Sequence, residues 1–64
     1  MLVLTPRELQ IATLIAHGKC TKRVAFELRI SEWTVHTHLR RMYAKLGVAG
    51  RAELVFRCAK ELGT

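Results

Sequence analysis

Aspartate is absent from this 64-residue chain, and five glutamates face eleven lysines and arginines, so the formal charge is +6. A folded chain so short of acid points to a polyanion as partner. Aromatic residues number only four (Phe26, Trp33, Tyr43 and Phe56); the core must be small and aliphatic, with no room expected for an enzyme pocket. The two cysteines, Cys20 and Cys58, are too few and too distant for a disulfide scaffold, and in a reducing compartment they stay thiols that pack like small apolar residues. No apolar run approaches the roughly 18 residues of a membrane span, and the stretch from Met1 to Thr5 lacks the features of a signal peptide. A cytoplasmic location with no membrane partner is therefore expected. Internal repeats, low-complexity stretches and a glycine-rich phosphate loop are also missing. Metal ligands do not converge: His36 and His38 diverge by about 200° on a helix, while His17 and Cys20 straddle a helix end without two further donors. A Cys–His catalytic pair would have no acid to orient it. Neither an enzyme, a cofactor nor a metal site is expected.

What is present is helix punctuation. Thr5, Pro6 and Glu8 combine a capping box with proline at the first helical position, which predicts a helix running to His17 before Gly18. Glu8, Ile11, Ala12 and Ile15 share its inner face, and Leu9 lies well off it. Thr21 is expected to cap a second helix, Lys22 to about Arg29. That helix turns Val24, Ala25 and Leu28 inward and Lys22, Arg23 and Arg29 outward. Phe26 is a misfit on its polar side, either a partner contact or simple exposure. After a short turn, Ser31 caps a third helix over about 32–46, with Glu32 complementing its positive end. Gly47 ends it, and a last helix is expected from Arg51 to about Leu62.

The third helix has two opposed stripes. At about 100° per residue, Val35, Leu39, Met42 and Leu46 form one narrow apolar face. Trp33, Thr37 and Arg40 lie opposite with His36 and Arg41 at the edges, and Thr34, His38 and Lys45 line a flank. A short helix followed by such a helix is the layout of a DNA-reading helix-turn-helix. On the last helix, Ala52, Val55, Phe56 and Ala59 read as the core stripe. Leu54 and Cys58, extended by Leu62, then form a surplus stripe suited to a two-fold helix–helix dimer, with Cys58 near its axis.

The order Leu4-Thr5-Pro6-Arg7-Glu8, Gly18, Lys22, Ala25, Leu28, Ile30-Ser31-Glu32, Thr34-Val35, Thr37-His38-Leu39, Tyr43, Lys45-Leu46-Gly47-Val48 and Arg51-Ala52-Glu53 resembles the LuxR-type (GerE-like) DNA-binding domain of bacterial transcription regulators, over nearly the whole chain. The resemblance implies an all-α, four-helix helix-turn-helix domain spanning residues 1–64. Its third helix would enter the major groove, its fourth would dimerise, and its sites would be inverted repeats. Base contacts are then expected from His36, Thr37 and Arg40, with Trp33 at the groove edge or folded back beside Ile30. Backbone contacts are expected from Lys22, Thr34, His38, Arg41 and Lys45. The implied partners are double-stranded DNA, a second copy of the chain and RNA polymerase. Lys19, Phe26, Trp33 and His36 depart from the usual residues, so the target sequence does not transfer from relatives. The alternative function is a basic helical protein-interaction module, favoured if Leu9, Phe26 and Trp33 form one patch. An unrelated promoter-reading helix-turn-helix of the sigma-factor kind is the other reading within DNA binding.

Overall fold

Four helices account for the computed structural model, which describes residues 4–61: α1 (Pro6–Ala16), α2 (Thr21–Leu28), α3 (Glu32–Leu46) and α4 (Arg51–Glu61). Each start has a local cause. At α1 the Thr5 hydroxyl accepts from the Glu8 amide at 3.2 Å, and the Glu8 carboxylate accepts from the Thr5 amide at 3.0 Å, with Pro6 in the first turn. At α3 the Ser31 hydroxyl accepts from the Thr34 amide at 3.0 Å. α2 differs from the sequence expectation. Its N-cap is Cys20, which makes no side-chain cap bond, and Thr21 is already helical. The Thr21 hydroxyl instead accepts from Arg51 Nη2 at 2.7 Å, tying the start of α2 to the start of α4.

Both ends of the helix-turn-helix close in the left-handed region. Gly47 ends α3 at φ 66°, a conformation that costs glycine nothing. Arg29 ends α2 at φ 57°, ψ 44°, where a side chain is strained, and lets the Ile30 amide reach the Ala25 carbonyl at 3.0 Å. Replacing Arg29 by glycine is therefore expected to stabilise the domain by about 0.5–1 kcal/mol, the usual gain from relieving a left-handed non-glycine. Thermal unfolding should show a midpoint several degrees higher; an unchanged or lower midpoint would mean that the Arg29 side chain contributes more than its backbone costs.

The core draws on all four helices: Ile11, Ala12 and Ile15 from α1, Val24 and Ala25 from α2, Val35, Leu39 and Met42 from α3, and Leu54 and Cys58 from α4. α1 packs mainly on α4, and α2 mainly on α3. The apolar stripes expected on α1, α2 and α3 do face inward. On α4 the surplus stripe is core, and the expected core stripe is split: Val55 is half-buried against the core and Ala59 is half-buried. Leu54 and Cys58 are fully buried, whereas Ala52 is exposed and Phe56 is 65% exposed. Two arginines accompany this rotation. Arg51 and Arg57 flank the Leu54–Cys58 stripe, the first bonded to Thr21 and the second donating to the Leu46 carbonyl at 2.9 Å. At about 100° per residue the stripe between these arginines points into the core. The expected dimer surface of Leu54 and Cys58 is thus a monomer core, and a disulfide between two Cys58 thiols across an axis is ruled out with it. Leu62 lies outside the described residues.

Candidate nucleic-acid interface

α3 presents its outward stripe because its other side is fixed. Val35, Leu39 and Met42 are buried, and the capped ends set the helix's length and register. On the outside, Trp33 is 75% exposed, and His36, Arg40 and Arg41 are exposed. Trp33 therefore does not fold back over the turn. Among the described residues the ion pairs use Lys19, Arg23 and Lys45 as cations, leaving the α3 arginines outside them. The guanidinium of Arg40 is placed to offer its two-donor fork to a partner.

Two hydroxyls are already in use. Thr37 Oγ1 donates to the Trp33 carbonyl at 3.0 Å, which spends its hydrogen inside the helix. Thr34 Oγ1 shares a 2.9 Å hydrogen bond with Ser31 Oγ at the helix start. Lys22 is exposed on the first turn of α2.

The flank of α3 nearest α1 is different. Lys45 Nζ donates to Glu8 Oε1 at 2.6 Å, joining the end of α3 to the start of α1. Lys45 is thus committed to the fold, and the phosphate contact expected of it would require breaking this pair. Glu8 is 3% exposed. Burial alone raises its pKa, but the hydrogen bond from Lys45, the Thr5 amide and the charges of Lys45 and His38 outweigh that and hold it below the ordinary 4.5. His38 is half-buried beside this group, with Nδ1 enclosed and unbonded, so only the remainder of its ring faces outward. The sequence carried one signal for this arrangement, a glutamate on an apolar face, which demands a cation.

Leu9 and Phe26, two of the three residues whose common patch would favour a protein-interaction module, line different hollows. Leu9 lines a groove between α1 and α2, Phe26 lines a separate hollow with Cys20, Lys22 and Arg23, and Trp33 lines neither. Arg23 stands over the Phe26 ring at 5.6 Å. Among the described residues no group of three or more potential ligands could hold a metal, and no helix is long and apolar enough to cross a membrane.

The family of bacterial regulatory proteins of the luxR type matches residues 2–58. The chain belongs to the luxR family. It is 45% identical over 53 residues to the spore germination protein GerE of Bacillus subtilis, covering 83% of this chain and 72% of that protein. It is 46% identical over 52 residues to the HTH-type transcriptional regulator MalT of Serratia proteamaculans, covering 81% of this chain. The chain spans only 6% of MalT, and 6% of a Mycobacterium bovis transcriptional regulator to which it is 44% identical. A solved structure of the transcription factor GerE superposes with a TM-score of 0.86 at 36% identity, covering 98% of this chain and 92% of that one. MalT is named as a transcriptional regulator and GerE as a transcription factor, and the four-helix helix-turn-helix fold is shared with GerE.

Proposed function

We propose that this luxR-family domain binds double-stranded DNA by laying the outward stripe of α3 in the major groove, as the reading module of a bacterial transcription regulator. The observation that carries this reading is the opposition on α3: one side is locked in the core while Trp33, His36 and Arg40 stand exposed on a capped, basic helix. Arg40 is assigned to guanine O6 and N7, the Thr37 methyl to a thymine methyl, and His36 and Trp33 to base edges at the near end of the helix. Lys22, Thr34, Arg41 and the open side of His38 are assigned to phosphates, which position the domain without reading sequence. The setting is the bacterial cytoplasm, where RNA polymerase is the partner expected at a promoter.

Fluorescence anisotropy on a duplex selected from a random pool tests the assignment. Arg40→Ala is expected to weaken binding by about 1–3 kcal/mol and to relax preference at one position per half-site. Unchanged affinity and preference would remove α3's outer stripe as the reading surface.

Two copies are proposed to bind an inverted repeat, with half-sites about 34–36 Å apart. Since Leu54 and Cys58 are core, the dimer contact is reassigned to the outward face of α4, where Ala52 and Phe56 are exposed. Phe56→Glu is expected to leave the monomer folded and to shift sedimentation toward the monomer. It should weaken binding to the full repeat far more than to a half-site. A variant as dimeric as the parent would place the interface elsewhere.

A further inference from the structure

α1 is apolar on two sides. Glu8, Ile11, Ala12 and Ile15 are buried against the other helices. Leu9 and Leu14 are half-buried; with Pro6, and with Glu27 and Leu28 from the end of α2, they line an open groove of about 490 Å³. At about 100° per residue this groove lies across α1 from its buried stripe. Because that stripe includes Glu8, which holds Lys45 at the end of α3, the groove faces away from the DNA-reading helix. An occupant there and DNA on α3 would not compete.

The border of the groove is cationic. Glu27 is answered by Arg23 at 2.8 Å and Lys19 at 3.6 Å. Exposed Arg7 follows Pro6 on the α1 side. Lys19 and Arg23, both paired with the lining Glu27, and exposed Arg7 next to Pro6 thus lie beside an apolar floor that has one carboxylate, already matched.

We propose that this groove docks an acidic amphipathic helix of a partner protein. A leucine stripe repeating at three- and four-residue steps would fill the floor beside Leu9, Leu14 and Leu28, and carboxylates on its flanks would face Arg7, Lys19 and Arg23. Complementarity argues against the other occupants. A second copy of this chain carries +6 and has no aspartate, and a DNA backbone has nothing to place on an apolar floor. The proposal does not depend on how α3 reads DNA.

The test is a titration of the ¹⁵N-labelled domain, with and without duplex DNA, using a synthetic helix that has a leucine stripe and glutamate flanks. Its control carries lysine at every glutamate. The expected result is a saturable shift of the Leu9, Gln10, Leu14 and Leu28 amides in both states, with DNA retained. The lysine peptide should bind at least about tenfold more weakly, and Leu9→Asp should weaken the acidic peptide by a similar factor, as loss of one buried leucine contact implies. DNA affinity of that variant should stay at the parent's value. Arg7→Glu, a surface change, carries the same expectation should Leu9→Asp not fold. Shifts confined to α3, equal binding of the two peptides, or no saturation up to about 1 mM, a limit near −4 kcal/mol, would overturn the proposal. Shifts of the same amides on simple dilution of the protein would also overturn it, by assigning the groove to a second copy.

Discussion

Leu54→Ala should lower unfolding stability by about 2–5 kcal/mol, the cost of a cavity where a fully buried leucine meets a packed interior. Leu54 is among the largest fully enclosed side chains, and among the described residues α4 contributes Leu54 and Cys58 to the buried set. A domain of this size holds few kilocalories in reserve, so the loss is expected to leave much of the protein unfolded at room temperature. α4 should detach first, since Leu54 is the larger of its two fully buried side chains, leaving Cys58, the half-buried Val55 and the surface hydrogen bonds of Arg51 and Arg57 to hold it. Urea unfolding followed by circular dichroism measures the change. Leu54→Ala and Phe56→Ala form a matched pair: the first should unfold the domain and the second should not. The reverse order would restore α4 to the orientation expected from its sequence.

Removal of Glu8 should be the second large effect. One carboxylate accepts the Thr5 amide that closes the α1 capping box and the Lys45 ammonium that fixes the end of α3. A lost cap costs about 1 kcal/mol and a hydrogen bond to a charged group about 1.5–3 kcal/mol, so Glu8→Ala is expected to destabilise by about 2–4 kcal/mol. Its pH dependence has a definite sign. The folded-state pKa of Glu8 lies below 4.5, so its contribution is present above the unfolded value and disappears as pH falls through the lower folded one. Lys45→Ala leaves burial as the dominant influence and should raise the Glu8 pKa. Carbon-13 titration of the Glu8 carboxyl should follow this rise, and acid unfolding should begin at a higher pH. A Glu8 pKa that stayed low without Lys45 would mean that the Thr5 amide and His38 hold it unaided.

Much of this was legible in local sequence. Thr5, Pro6 and Glu8, then Ser31, then Gly47 are punctuation whose chemistry acts within a turn, and the buried stripes of α1, α2 and α3 followed from helical spacing. α4 had two apolar stripes, and period alone does not choose between them. The choice depends on how α4 meets the other helices, a tertiary matter that its own sequence does not contain. Thr21 was misassigned for the same reason, as its hydroxyl serves α4 and not its own helix. Lys45 was expected to be a phosphate contact on a basic flank. Its partner Glu8 lies 37 residues away, and only the fold brings the two together. The exposed stripe of α3 needed no such help, because a helix with one apolar side displays the other.

Most directly, the assignment of Arg40 to guanine is tested by a double-mutant cycle on the selected duplex, in which 7-deazaguanine replaces guanine one position at a time. Removing N7 at the contacted guanine should weaken the parent by about 1–3 kcal/mol and should cost the Arg40→Ala variant little more, because the two changes delete one contact. Equal losses in parent and variant at every guanine would show that Arg40 does not meet a base edge in the major groove, and would contradict the docking of α3.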